Sequence, residues 1–269
     1  MARVESPQFT MTAPPPYEAI PRDDPEVPED FKIGVTVEQS SPSIRALFVR
    51  KVYTILFLQI LGTAVVAAAM AAAGAQEWIY RKCVVADSSW SIWLPFVGTL
   101  VSLGGVYWKA HEHPANLIML GAFTLFEALS IGMLVSVVSE AIVLKAFVIT
   151  AFVFLGLTLY TLQSESNFES LGSWLYMSLL VLLGTGLVQF FFPSRLLDLA
   201  YSAGGCAVFS GYIVYDTWLI QRRCVLADRL SPDDWVLANV SLYLDVVNMF
   251  ISVLRRALSL TVLNSSNDD

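Results

Sequence analysis

Charge is scarce in this sequence. Only 14% of its 269 residues are Asp, Glu, Lys or Arg, 56% are hydrophobic, and the mean hydropathy is +0.62. A soluble domain of this size carries about 25% charge, so composition argues against a water-soluble fold. Cysteine is scarce too: Cys83, Cys206 and Cys224 are the only three, and Cys206 lies inside an apolar run, which argues against a disulfide framework. A glycine-rich phosphate loop, a GxSxG elbow and an HExxH pair are all missing. The chain therefore reads as a non-enzyme with no cofactor. The last apolar run contains no lysine for a Schiff base, and no basic face offers itself to nucleic acid. The net charge of −7 owes much to acid in the two tails. No KDEL-type retrieval signal stands at the C-terminus.

Long apolar runs take the place of charge. They predict an all-α polytopic membrane protein with seven transmembrane helices in a domain spanning 45–260, with spans at 52–73, 90–108, 115–138, 141–162, 172–192, 196–220 and 235–258. Trp90, Trp93 and Trp108 stand near the ends of the second span, as interfacial anchors do. Glu77, Arg81, Lys82 and Asp87 mark a wet loop after the first. The alanine-rich stretch from Ala64 to Ala75 reads as a close-packing face. His111 and His113 read as a solvated turn, since no metal-ligand spacing accompanies them.

Residues 1–44 are polar, acidic and proline-rich, and read as a disordered cytosolic tail ahead of an uncleaved first anchor; 261–269 read as a short polar, acidic tail. Pro14, Pro15, Pro16 and Tyr17 fit PPxY, a pattern whose preformed polyproline II conformation suits the aromatic groove of a WW domain, as in some ubiquitin ligases. With seven crossings, Arg45, Arg50, Lys51, Lys109, Arg222, Arg223 and Arg229 share the N-terminal side, while Arg81, Lys82, Lys145, Arg195, Arg255 and Arg256 lie opposite. That bias is small, and a re-entrant last segment would enlarge it by moving Arg255 and Arg256. The basic cluster before the first span favours a cytosolic N-terminus in both cases.

Three acids interrupt the apolar runs: Glu127, Asp216 and Asp245. An ionised Asp at a helix centre costs roughly 2.5–3.5 kcal/mol on insertion scales, so such a residue faces protein or water. Ser241, Asp245, Asn248 and Ser252 fall on one face of the last helix and form a polar stripe that needs a partner. The preceding span, with Asp216 in SGYIVYDTWLI, is the partner expected. If Asp216 and Asp245 face each other, repulsion and desolvation disfavour two charges, and the pair shares a proton and titrates in coupled steps. Such a pair suits a proton sensor or, ionised, a Ca²⁺ site with oxygen ligands. Asn248 and Glu127 are further candidates for the sensor and ion pathway; the plain alternative is a hydrogen bond that locks two helices together, and for Glu127 a simple packing contact.

FVRKVYTILFLQIL, HPANLIMLGAFTLFEALSIG, GYIVYDTWLI and LSPDDWVLANVSLYLDVVNMFISVLR together resemble the Bax inhibitor 1 family, in its Lifeguard-like branch. The resemblance runs from about Ala46 to Leu258, and the tail, with PPPYEAI and VPEDFKIGVTV, is similar to that of fungal members. It implies a seven-helix bundle with the last helix at the centre. It also implies a pH-sensitive calcium leak in an organelle membrane (endoplasmic reticulum, Golgi or vacuole) that restrains cell death and deals with cell-death regulators. On that resemblance Asp216 and Asp245 are the controlling pair, and Lys109, just after the second span, is the basic residue expected to pair with Asp245. Two other readings stand beside it. A non-conducting scaffold acting through partners is compatible with the PPPY tail. An intramembrane aspartyl protease also pairs two aspartates, one in a Tyr-Asp dipeptide, but its glycine-flanked second motif and Pro-Ala-Leu signature are missing here.

Overall fold

A computed structural model describes residues 42–82, 90–222 and 235–265. Every regular element among them is helical: α1 (Pro42–Ala72), α2 (Ala75–Tyr80), α3 (Trp90–Trp108), α4 (Ala115–Ser136), α5 (Glu140–Gln163), α6 (Leu171–Phe191), α7 (Arg195–Arg222) and α8 (Trp235–Ser265). Six of these are long and apolar enough to cross a membrane, namely α1, α4, α5, α6, α7 and α8. The apolar part of α3 is shorter, Trp93–Trp108.

Helix ends follow local chemistry. Gly74 adopts a left-handed conformation (φ 75°) between α1 and α2, where a side chain would be strained. Pro114 precedes α4, and Pro193 separates α6 from α7. Three boundaries depart from the hydropathy reading. Helix α1 starts at Pro42, inside the expected tail, and carries Arg50 and Lys51 within it. The expected wet loop begins as the short helix α2, where Glu77 takes Arg81 at 2.6 Å one turn on. Helix α8 continues to Ser265, into the expected polar tail. Hydropathy marks where lipid begins, whereas a helix continues for as long as its backbone bonds are made.

The outer faces are apolar. Phe152, Trp174 and Phe190 are each at least 74% exposed, a surface suited to lipid rather than water. Helix α8 differs: 61% of its most apolar window is buried, against 11% to 33% in the other five long helices. It packs on α1, α3, α4, α5 and α7. Close approach depends on small residues, as expected where lipid gives helices no hydrophobic reason to associate. The alanine-rich stretch of α1 meets Gly132 of α4 through Ala67.

Helices α7 and α8 run antiparallel and hold one another along their length. Asp198 near the start of α7 receives Arg255 Nε at 3.1 Å and the Ser259 hydroxyl. Ser210 Oγ approaches Met249 Sδ at 3.9 Å, and Gly205 lies against Ser252. At the other end of α8, Lys51 Nζ sits 4.2 Å above the Trp235 ring, and Asn239 Nδ2 donates to Val52 O at 3.2 Å. Helix α8 thus runs from the end of the bundle where α1 begins to the end where α7 begins. One uninterrupted helix covers this length, long and apolar enough for a crossing.

Candidate functional site

The antiparallel register of α7 and α8 brings Asp216 to Asp245. Their carboxyl groups come within hydrogen-bonding range of each other. Carboxyl groups this close are held together by a shared proton or by a cation between them. Asp245 is 6% exposed and its Oδ2 has no protein partner, while Asp216 is half-buried. Asp216 reaches this place because YDT falls one and a half turns before the end of α7, and Asp245 because it lies in the middle of the α8 stripe.

Hydroxyl groups from other helices surround the pair. Tyr53 of α1 donates to Thr217 Oγ1 at 3.2 Å, next in sequence to Asp216, and is also within reach of Thr158 of α5. Tyr107 of α3 lies within hydrogen-bonding reach of Ser241 and within range of the Asp216 charge. Tyr212 of α7, one turn before Asp216, feels both acids. Pattern reading missed these tyrosines, because a Tyr in an apolar run scores as one more hydrophobe; the available signal was that a buried phenol needs a partner. Asn239 was missed as well: it is fully buried, and its Oδ1 has no partner.

The remaining predicted residues divide. Ser241 belongs to the site through Tyr107. Asn248 donates to Leu244 O at 2.8 Å and Ser252 to Asn248 O at 2.8 Å, so the far half of the stripe is satisfied within its own helix. Glu127 lies apart from the pair, within hydrogen-bonding reach of Thr99 of α3 and within range of Tyr243 of α8. Lys109 does not meet Asp245. It pairs with Glu112 at 2.7 Å and lies 5.1 Å from the Trp108 ring centre, because an acid three residues away in an open turn is the nearer and better hydrated partner. Pro14, Pro15 and Tyr17 lie outside the described residues.

Chemically, the pair and its hydroxyls form an oxygen-rich centre within apolar helices. Two carboxyl groups with adjacent hydroxyls match the donors that hard cations prefer, and they are also groups that bind and release protons. The chain is thus a multi-pass helical membrane protein whose last two helices join two carboxyl groups inside the bundle. The family model described as "Inhibitor of apoptosis-promoting Bax1" matches residues 45–262, and the chain belongs to this Bax inhibitor family. Among its relatives, Protein lifeguard 4 of Mus musculus is 38% identical over 232 residues, covering 85% of this chain and 92% of the relative. The Golgi anti-apoptotic protein of Vaccinia virus (strain Lister) is 36% identical over 232 residues, with the same shares of 85% and 92%. Bax inhibitor 1 of Schizosaccharomyces pombe is 34% identical over 266 residues, covering 90% of this chain and 96% of that one.

Proposed function

We propose that this protein is a pH-sensitive calcium leak channel of an intracellular membrane (endoplasmic reticulum, Golgi or vacuole), with seven spans gathered around α8, and that by regulating calcium it restrains programmed cell death. The observation that carries this reading is the approach of Asp216 to Asp245 inside apolar helices. Packing alone does not call for two acids there, since a hydrogen bond of neutral groups joins helices at lower cost. Names among the relatives, such as Golgi anti-apoptotic protein, support the cell-death part of the reading.

In this mechanism the pair is both sensor and cation site. At low pH it is fully protonated, carries no charge and holds its neighbours weakly, so α8 shifts and the path opens. At higher pH the pair is charged, draws in the hydroxyl donors of Tyr53, Tyr107 and Ser241, and the path closes. Lys109 takes no part, since it is held by Glu112. The N-terminal tail lies in the cytosol, and its PPPY segment (Pro14, Pro15, Tyr17) binds a WW-domain ubiquitin ligase.

The test is Ca²⁺ uptake into dye-loaded liposomes carrying purified protein, from about pH 5 to 8, a range chosen to span carboxyl and coupled-carboxyl titration. Wild-type flux rises as pH falls, and Asp216→Asn and Asp245→Asn each flatten that dependence. An unchanged pH profile in both variants removes the pair as sensor. No flux above protein-free liposomes, with folded protein confirmed, refutes the channel in favour of a scaffold that works through its partners.

A further inference from the structure

The seam between α7 and α8 is built from residues at regular spacing. On α8, Asp245, Ser252 and Ser259 lie seven residues apart, so each falls only about 20° off the one before. On α7, Asp198 and Asp216 lie eighteen residues apart, which at about 3.6 residues per turn puts both acids on one face. Gly205 lies between them, near the same face. The two faces meet residue by residue: Asp216 with Asp245, Gly205 with Ser252, and Asp198 with Ser259. The aspartate pair is thus the inner member of a series whose outer member is Asp198.

At that outer end both carboxylate oxygens of Asp198 are in use. Oδ1 takes Arg255 Nε at 3.1 Å, and Oδ2 takes the Ser259 hydroxyl. The Arg255 guanidinium also lies 4.9 Å from the centre of the Tyr201 ring. That ring is seated on α6, where a Cβ on Gly186 would stand 3.2 Å from it. Three helices therefore meet at one ion pair. Glu77–Arg81 and Lys109–Glu112, by contrast, are local pairs within a helix or a turn. The other charges toward this end are Arg195 on α7, Arg256 on α8 within range of Cys206, and Glu140 and Lys145 on α5; α6 has no charged residue. Arg255 is exposed and Asp198 half-buried, so this pair forms without the cost of burying charge in the bilayer centre.

We infer that Asp198 and Arg255 are positioning residues for the aspartate pair: their ion pair fixes the face that α8 presents to α7 and so keeps Asp245 against Asp216. Lipid gives apolar side chains little reason to prefer one facing over another, so a directional polar contact has to choose it. The contact acts at a distance, since Arg255 lies ten residues beyond Asp245, about 15 Å along α8. Losing it lets the seam part at the aspartates while they keep their own chemistry. For its effect on calcium the inference rests on the leak reading; for the facing of α8 it stands without it.

Two measurements on the full-length protein test it. In liposomes, Arg255→Gln and Asp198→Asn each raise Ca²⁺ flux about tenfold at about pH 8, where the wild-type path is closed, a size usual for coupling between separate sites. Exchanging the charges, Asp198→Arg with Arg255→Asp, returns the pH profile toward wild type, and Arg255→Lys, which keeps the charge, retains it. In detergent, cross-linking reads the seam without flux. Ser210→Cys and Met249→Cys replace side chains that approach at 3.9 Å between the ion pair and the aspartates, in a chain whose own cysteines are changed to Ala. Under a copper oxidant the two thiols form a disulfide, and adding Arg255→Gln slows its formation about tenfold. Thermal melts verify that each variant is folded. A flux profile and a cross-linking rate both unchanged in folded Arg255→Gln and Asp198→Asn overturn the inference and leave the pair a simple staple. Absence of flux in wild type refutes the leak reading instead, and the cross-linking rate alone then decides the role of the ion pair.

Discussion

Tyr243 shows how much one side chain can join. It is completely buried on α8, sets its ring edge-on to Phe123 of α4 with centres 5.7 Å apart, and bonds Thr63 of α1. Tyr243→Phe keeps the ring contact and removes one hydrogen bond. Thr63 still donates to Gln59, so no donor is stranded. The expected cost is about 1 kcal/mol, read as a lower thermal midpoint in detergent; a midpoint equal to wild type shows that the hydroxyl bond contributes nothing net. At this scale the acids were legible in the sequence, because a carboxyl in an apolar run is costly wherever it sits and so announces a site. The tyrosines were not, because their hydroxyls carry no such cost until burial deprives them of water. Lys109 misled for a related reason. Position along the chain put it near the pair, but Glu112, three residues on, decides where its charge goes.

Helix α7 contains adjacent glycines that the sequence treats alike and the packing does not. A Cβ on Gly205 would stand 2.5 Å from Ser252 Oγ, whereas one on Gly204 meets nothing within 4 Å. Gly205→Ala therefore wedges α7 from α8, at an expected cost of about 1–3 kcal/mol. Gly204→Ala gains up to about 1 kcal/mol through helix propensity. Thermal melts of the two variants separate in opposite directions, and adding Ser252→Ala to Gly205→Ala recovers part of the loss. Equal melts for the two single variants would mean that the seam is looser than drawn. The existence and order of the long helices were legible at this scale, since runs such as Glu140–Gln163 have few other uses. Their ends were less so. Neither the start of α1 at Pro42 nor helix α2 leaves a hydropathy signal, because wet residues form helix as readily as apolar ones.

For the whole molecule, the course of α8 bears on what lysine and arginine left open. Its first turn lies beside Lys51 and its later turns beside Asp198, so the chain leaves the bundle at the end opposite to where α1 begins. With the N-terminus cytosolic, as proposed, protease acting on sealed vesicles with the cytosolic face outward removes an N-terminal tag and spares a C-terminal one. An immobilised WW domain captures the same intact vesicles through the tail and loses them with Tyr17→Ala. Cleavage of both tags would put the termini on one face and contradict this course of α8. Capture unaffected by the substitution would remove the WW partner. That α8 is the most enclosed of the long helices fits the polar stripe read from the sequence; which end it leaves by was not legible, since that depends on contacts far apart in sequence.

Helix α8 is fastened at both ends, by Lys51 and Val52 at one and by Asp198 at the other. A rod held in this way shifts most readily by turning about its axis. Asp245 and Tyr243 are two residues apart, so their side chains leave the axis about 200° apart. They stand as opposite arms of one rocker: a turn that draws Asp245 away from Asp216 moves Tyr243 against Thr63. The aspartate pair and the Tyr243–Thr63 bond thus share one shaft, and a turn that loosens the first strains the second.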